Sequence, residues 1–139
     1  MPTQPVARAI DANLLGRRIL VVEDHLDSRE LLETSFRLVG ARVLAVGSVG
    51  DAQRGIDRFK PELVVCDLKL PDGTGLDFVV WLRARPRGQG GRTPCIALTA
   101  FDRQFPADRA VGFDAYMQKP ADLARLCNIA SALLGRVEA

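Results

Sequence analysis

The chain has 139 residues, 47% hydrophobic and 26% charged, which fits one ordinary globular domain. Its 19 Lys and Arg residues against 17 Asp and Glu residues leave a net charge of +2 with no basic block, so direct nucleic-acid binding is not expected. No apolar run approaches the ~18 residues that span a bilayer, and the amino terminus lacks the apolar centre of a signal peptide.

Hydrophobic periodicity predicts strands and helices in strict alternation. Residues 1–15 predict a tail or linker, residues 16–135 one domain, and residues 136–139 a second tail. The first half contains a strand over Arg18–Glu23, a helix from a cap at Asp27–Ser28 to Gly40, a strand over Ala41–Val46 and a helix over Ser48–Phe59. The second half contains a strand over Leu63–Asp67, a turn-rich loop over Leu70–Gly75, a helix over Leu76–Arg85, a loop over residues 86–94, a strand over Cys95–Thr99, a short helix over Ala107–Val111, a strand over Ala115–Met117 and a helix from Asp122 to near Gly135.

Five consecutive β-then-α units predict an α/β fold, the flavodoxin-like doubly wound (βα)5 arrangement. We expect a five-stranded parallel sheet in the order 2-1-3-4-5 with helices on both faces. Ligands of such sheets bind beyond the carboxyl ends of the strands. That rule brings together Glu23 and Asp24, Asp67, Thr99 and Lys119, each of which follows or ends a predicted strand.

Three carboxylates at one edge repel one another, and a hard divalent cation, Mg²⁺ or Mn²⁺, relieves that repulsion. Asp24 and Asp67 suit direct ligation, Glu23 could ligate directly or through water, and the Lys69 backbone carbonyl could fill another position. The Lys119 ammonium could hold a phosphoryl oxygen, and the Thr99 hydroxyl could donate a hydrogen bond to the same group. Asp67 is then the candidate nucleophile.

The three cysteines, Cys66, Cys95 and Cys127, are odd in number, lack C-x-x-C spacing and lie in apolar stretches. This pattern predicts buried, reduced thiols. Together with the absence of a predicted signal or membrane segment, it indicates a cytoplasmic protein.

Four segments together carry a family resemblance: Ile-Leu-Val-Val-Glu23-Asp24-His25, Val-Val-Cys-Asp67-Leu-Lys69-Leu-Pro71-Asp-Gly-Thr-Gly75, Ala-Leu-Thr99-Ala100 and Gly112-Phe-Asp-Ala-Tyr116-Met-Gln-Lys119-Pro120. Over about Arg18 to Leu134, the chain resembles the receiver domain of two-component response regulators. The resemblance implies a phosphorelay phosphoacceptor, not an enzyme, that takes its phosphoryl group from a histidine kinase or histidine phosphotransfer protein and signals to a downstream protein target. It also implies a monomer or weak dimer.

The resemblance assigns a role to each site residue. Asp67 is the phosphoacceptor, and Glu23, Asp24 and the Lys69 carbonyl, together with Asp67, hold the metal. Thr99 and Lys119 bind the phosphoryl group, and the Lys119–Pro120 peptide bond is expected to be cis. Thr99 and Tyr116 form the switch that alters the surface around the fifth predicted strand and the fourth and fifth helices.

Two parts of the sequence depart from the family pattern. The segment between Thr99 and Gly112 is short and contains Pro106, which predicts a short or displaced fourth helix. The loop over residues 86–94 is long and should be mobile. Lys69 and Phe101 lie two positions after Asp67 and Thr99, where they are expected to shield the phosphoryl group from water and slow its loss.

Other functions remain open at this point. A hydrolase of the haloacid dehalogenase type also uses an aspartyl nucleophile, but it needs a second Asp where this chain has Lys69. A nucleotide- or flavin-binding domain needs a glycine-rich turn after the first strand, where this chain has Glu23-Asp24-His25. A degenerate receiver that only docks would not need the full set of site residues. The chain could be a stand-alone regulator or the receiver of a hybrid sensor kinase.

Overall fold

The fold is a parallel sheet with two helices packed on each face, in a computed structural model that describes residues 11–100 and 112–138. The sheet has five strands in the order β2-β1-β3-β6-β7, numbered along the chain, and a separate ribbon contains β4 and β5. The strands are β1 (Arg18–Val22), β2 (Arg42–Val46), β3 (Leu63–Asp67), β4 (Lys69–Leu70), β5 (Gly73–Thr74), β6 (Cys95–Thr99) and β7 (Ala115–Gln118). The helices are α1 (Leu26–Leu38), α2 (Val49–Phe59), α3 (Gly75–Arg83) and α4 (Leu123–Glu138).

The central strands are apolar on both faces because both faces are covered. Ile19 and Val21 of β1 point into one core, with α1 and α4, while Leu20 and Val22 point into the other, with α2 and α3. The strands pair in parallel; for example, Asp67 of β3 pairs with Leu98 of β6. The predicted fold and strand order are therefore confirmed, since the sequence's second, first, third, fourth and fifth strands lie side by side in that order.

Helix starts show where local sequence was informative. Ser48 caps α2, and its side chain accepts a hydrogen bond from the Asp51 amide at 3.1 Å, as the sequence predicted. The predicted cap of α1 at Asp27–Ser28 is wrong by two residues. His25 is the cap, and its ring nitrogen Nδ1 accepts from the Ser28 amide at 3.4 Å. The imidazole replaces the usual short polar side chain at this position.

Residues in both predicted tails make contact with the domain or continue its last helix. The described part of the predicted tail, residues 11–15, packs onto the domain: Leu14 is fully buried, and the Asp11 amide donates to the Val39 carbonyl at 3.3 Å. Asn13 Nδ2 donates to the Ser131 carbonyl at 3.2 Å, so α4 holds the same segment. The last helix continues to Glu138 instead of ending near Gly135. The predicted helix over Ala107–Val111, with Pro106 before it, lies outside the described residues.

The loop before β6 is held by arginine side chains from the end of α3 and from just beyond it. The Arg83 guanidinium donates to the carbonyls of Gly91 at 3.1 Å, Thr93 at 2.7 Å and Gly112 at 2.9 Å. Arg85 pairs with Asp57 of α2 at 2.5 Å and lies 4.6 Å from the centre of the Trp81 ring. These contacts attach a loop that the sequence predicted to be mobile.

The cysteines are free thiols, and their burial affects their ionisation. Cys66 and Cys95 are buried and Cys127 is half-buried, all as free thiols, and burial raises the pKa of Cys95 to about 12. Among the described residues, no helix has the length and apolar character needed to cross a membrane.

Candidate functional site

Three acidic side chains meet at the carboxyl edge of the sheet. Glu23 and Asp24 follow β1, and Asp67 is the last residue of β3, the strand beside it. One carboxylate oxygen from each residue lies within 4.8 Å of the others. Glu23 is fully buried and Asp67 is 6% exposed, whereas Asp24 is exposed. The site therefore brings together the exposed carboxylate of Asp24 and the buried carboxylates of Glu23 and Asp67.

The ammonium group of Lys119 compensates two of these charges. Lys119 follows β7, and its Nζ lies 2.9 Å from Glu23 Oε1 and 3.1 Å from Asp67 Oδ2. Its amide donates to the Thr99 carbonyl at 2.7 Å, which fixes the backbone of the two strand ends relative to each other. The peptide bond to Pro120 is cis, the geometry expected from the sequence.

Burial and charge act in opposite directions on this pair. Burial raises the pKa of Glu23, with a further increase from the Asp67 charge, although the Lys119 hydrogen bond and the His25 amide act the other way. For Lys119, burial alone would lower the pKa, but hydrogen bonds to Glu23 and Asp67 outweigh it and the pKa is raised. Lys119 thus stays a cation across the neutral range, next to two buried acids.

Backbone amides orient the buried carboxylates. The Lys69 amide donates to Asp67 Oδ1 at 3.2 Å, and the His25 amide donates to Glu23 Oε2 at 3.1 Å. Lys69 belongs to the β4–β5 ribbon, where it pairs with Thr74. The ribbon therefore begins directly at the site, and the Lys69 backbone lies beside Asp67.

Thr99 and Tyr116 lie on the neighbouring strands. Thr99 ends β6, is 9% exposed, and its hydroxyl donates to the Ala100 carbonyl at 2.8 Å. Tyr116 of β7 is opposite Ala97 of β6, and its ring meets the edge of Phe113 with the ring centres 5.8 Å apart. The Thr99 hydroxyl therefore bonds to the backbone of the next residue, and Thr99 lies two positions after Ala97, the residue that pairs with Tyr116. Phe101 lies outside the described residues.

The donor set fits a hard divalent cation. Carboxylate and carbonyl oxygens are the ligands that Mg²⁺ prefers, and a magnesium ion usually keeps several waters. Glu23, Asp24 and Asp67 supply the carboxylates, and the surface depression in front of them, about 520 Å³, is open enough for those waters. It is also lined by Lys69 and Lys119. The site can therefore place a cation on one side of Asp67 and an ammonium group on the other.

Two residues that support the site were not singled out by the sequence. Asp72, in the turn of the ribbon, accepts hydrogen bonds from the first amides of α2. Gly75 starts α3 so close to the site that an added Cβ would lie 2.5 Å from the Asp67 carbonyl oxygen. Both lie in the stretch Pro71-Asp-Gly-Thr-Gly75, which the sequence showed only as turn formers. An Asp followed by Gly predicts a turn, but the sequence does not show which amides the Asp side chain accepts hydrogen bonds from.

Comparison with known proteins gives one consistent result. The family pattern described as "Response regulator receiver domain" matches residues 19–131. The chain is 35% identical over 106 residues to a protein of Leptolyngbya boryana named only by its 14.6 kDa size and its position near sodA1, covering 75% of this chain and 79% of that protein. It is 34% identical to the transcriptional regulatory protein GltR of Pseudomonas aeruginosa over 88% of this chain, but it spans only 51% of that relative.

A solved structure gives the same comparison in three dimensions. The receiver domain of a sensor histidine kinase from Pseudomonas aeruginosa superimposes with a TM-score of 0.76 and 32% identity, covering 86% of this chain and 98% of that one. That structure has a magnesium ion coordinated in its active-site cleft.

Proposed function

The chain belongs to the response regulator receiver domain family, whose members are phosphoacceptor domains of two-component signalling, and we propose that it accepts a phosphoryl group on Asp67. The donor is a phosphohistidine on a histidine kinase or histidine phosphotransfer protein. The observation that carries the proposal is the position of the Asp67 carboxylate, which lies within 4.8 Å of two further carboxylates and 3.1 Å from the Lys119 ammonium.

The proposed phosphoryl transfer from the donor histidine to Asp67 needs few protein groups. A carboxylate oxygen of Asp67 attacks phosphorus, the P–N bond to the donor imidazole breaks, and the imidazole leaves with that electron pair. Lys119 is already within 3.1 Å of Asp67 Oδ2, so a small movement lets it hold a phosphoryl oxygen while charge builds there. The Lys69 amide at 3.2 Å keeps Oδ1 oriented during the attack. No general base is required, because attack by a carboxylate oxygen releases no proton.

A magnesium or manganese ion would be held by Glu23, Asp24, Asp67 and the Lys69 carbonyl. When bound, it supplies positive charge that lowers repulsion between the acids and the incoming phosphoryl oxygens. The chain's own residues prepare for it: Glu23 is fixed by the His25 amide, and Asp24 is exposed toward the depression. In the metal-free protein, Lys119 provides part of that compensation.

The readout is proposed to pass through Thr99 and Tyr116. The Thr99 hydroxyl now donates to the Ala100 carbonyl at 2.8 Å, and turning toward a phosphoryl group on Asp67 would exchange that bond for a charge-assisted one. The space it leaves lets Tyr116 turn inward from its contact with Phe113. The altered surface, around β7, the helix after it and the segment before it, is then the surface that a downstream protein target reads.

Loss of the phosphoryl group is proposed to be slow. By the family resemblance, we propose that Lys69 acts as a screening charge against the attacking water and that Phe101, which is outside the described residues, acts as an apolar shield. We further propose that residues 16–135 form the receiver unit, that the chain acts as a stoichiometric acceptor without turnover, and that it works as a monomer or weak dimer. Lys69, where haloacid dehalogenase hydrolases need an Asp, favours this over a hydrolase.

The test is intact-protein mass after incubation with Mg²⁺ and a small phosphodonor such as acetyl phosphate. The wild type is expected to gain the mass of one phosphoryl group, and Asp67→Asn is expected to gain none. Asp57→Asn is the matched control, since it removes the same charge from an exposed position in the last turn of α2, where Asp57 pairs with Arg85. An unmodified wild type, or an adduct that persists in Asp67→Asn, would overturn the proposal.

A further inference from the structure

The β4–β5 ribbon connects the candidate phosphoacceptor to the start of α2. Lys69 at its base donates its amide to Asp67, and the ribbon's turn contains Pro71 and Asp72. The Asp72 carboxylate accepts hydrogen bonds from the Val49 amide at 2.7 Å and from the Gly50 amide at 3.0 Å. These are charge-assisted bonds at the positive end of a helix dipole, so they are among the stronger contacts available to a loop.

The first turn of α2 has its own cap besides this one. Ser48 Oγ accepts a hydrogen bond from the Asp51 amide at 3.1 Å. The Val49 and Gly50 amides, which the Ser48 side chain does not bind, donate to Asp72 instead. The hydrogen bonds from Gly50 and then Val49 hold the pKa of Asp72 below its usual value, so the carboxylate is ionised at neutral pH. The two hydrogen bonds to Asp72 therefore join the start of α2 to the turn of the ribbon.

The same helix start borders the acid pair on its other side. The Glu23 amide donates to the Val46 carbonyl at 2.9 Å, at the end of β2. A Cβ added to Gly47, the next residue, would lie 3.7 Å from the Asp24 Cα. The chain entering α2 thus lies against the Glu23–Asp24 backbone, while Asp72 attaches the ribbon to it.

From this arrangement we infer that Asp72 is a positioning residue for the metal and phosphoryl site. It fixes the Lys69 backbone carbonyl relative to Glu23 and Asp24 by attaching the ribbon to the start of α2. The inference rests on the proposed function, since it concerns the affinity of that same site. A carbonyl on a free two-strand ribbon would have to be ordered when the cation binds, and that entropy cost lowers affinity.

The far end of the ribbon is anchored separately, which makes the role of Asp72 testable. Thr74 and Asp77 form a reciprocal capping box at the start of α3, with bonds of 3.0 and 3.1 Å. The Gly75 amide also donates to the Leu68 carbonyl at 2.9 Å. Loss of the Asp72 carboxylate is therefore expected to free the turn of the ribbon while α3 and its cap remain in place.

The experiment is a calorimetric titration of the full chain with Mg²⁺ alone. Asp72→Ala is expected to bind about tenfold more weakly than the wild type, the lower end of what loss of a supporting residue costs a metal site. Asp72→Asn keeps one acceptor oxygen and is expected to lie between the two. Asp51→Asn is the matched control, because it removes the same charge from the same helix turn, where the Asp51 side chain pairs with Arg54 and not with the ribbon. It is expected to stay within about twofold of wild type, as a long-range charge effect is screened.

Amide hydrogen exchange gives a readout without metal. The Val49 and Gly50 amides are expected to exchange faster in Asp72→Ala and at the wild-type rate in Asp51→Asn. If Asp72→Ala does not fold, Asp72→Asn takes its place in both measurements. Equal Mg²⁺ affinity in wild type and Asp72 variants, or an equal loss in Asp51→Asn, would overturn the inference and leave the proposed function standing. A wild type that does not bind Mg²⁺ would overturn the metal site itself and the inference with it.

Discussion

Removal of the Lys119 charge tests the electrostatics of the site directly. In Lys119→Met the carbon stem is largely retained, but Glu23 and Asp67 lose a cation at 2.9 and 3.1 Å. At an effective dielectric constant of about 20, each pair has a gross Coulomb energy of about 5–6 kcal/mol, most of which offsets desolvation. Breaking a buried pair typically costs ~3–5 kcal/mol. Because the Lys119 side chain is 26% exposed, we expect a smaller loss of about 2–3 kcal/mol in the free energy of unfolding.

The assay is denaturant and thermal unfolding of the metal-free protein in chelator. The expected loss corresponds to a decrease in melting temperature of roughly 6–12 °C for a domain of this size. An excess of Mg²⁺ is expected to restore part of it, since a cation at the acidic cluster replaces the missing charge. Arg87→Met, at an exposed cation in the loop before β6, is the control and is expected to change stability by less than ~0.5 kcal/mol.

The pH dependence has a definite sign. The pKa of Glu23 is raised in the folded protein by burial, and removal of Lys119 raises it further. Between the unfolded and the folded pKa, the folded state binds more protons, so stability falls as the pH rises through that window. The deficit of Lys119→Met is therefore expected to be larger at pH 8 than at pH 5. A variant as stable as wild type in chelator at both values, or one that Mg²⁺ does not stabilise, would refute this reasoning.

Three further expectations concern the neighbours of the site. Gly75→Ala should lose ~1–3 kcal/mol of stability by overpacking, whereas Gly88→Ala, where an added Cβ meets nothing within 4 Å, should be neutral in the same unfolding assay. Thr99→Ala should still gain the phosphoryl mass, but the fluorine spectrum of fluorotyrosine at Tyr116, the sole tyrosine, should no longer shift on phosphorylation. Phe101→Ala should shorten the half-life of the phosphorylated protein; an unchanged or longer half-life would contradict its shielding role.

Much of the framework was predictable, because the hydrophobic pattern identifies the strands and the polar residues follow directly at their carboxyl ends. The apolar run that ends in Glu23 and the run that ends in Asp67 each predict a buried strand with its acid at the carboxyl end, and parallel pairing then brings the acids together. Lys119 follows by the same rule from the last strand. None of this needed knowledge of side-chain contacts.

The details that escaped prediction depend on tertiary partners. In the sequence Asp72 resembles any other turn residue. Its role depends on hydrogen bonds that its carboxylate accepts from amides at the start of α2, more than 20 positions away. His25 caps α1 in place of Asp27 because the chain turns immediately after the acid pair. The segment over residues 11–15, Asp-Ala-Asn-Leu-Leu, has no helix or strand periodicity, yet Leu14 is fully buried in the core while Leu15 is exposed. Local pattern cannot signal a contact whose partner lies elsewhere in the chain.

The arginine-held loop before β6 has a practical consequence. The Arg83 side chain donates hydrogen bonds to the Gly91 and Thr93 carbonyls in the second half of this loop. The tip at Gly88 can therefore be altered without releasing either end. This loop precedes β6 and therefore lies at the opposite edge of the sheet from Asp67. A cysteine introduced at Gly88, with the buried native thiols of Cys66 and Cys95 much less reactive, offers an attachment point for a fluorophore or a surface tether. A receiver immobilised there would present its acidic edge unobstructed to a candidate phosphodonor.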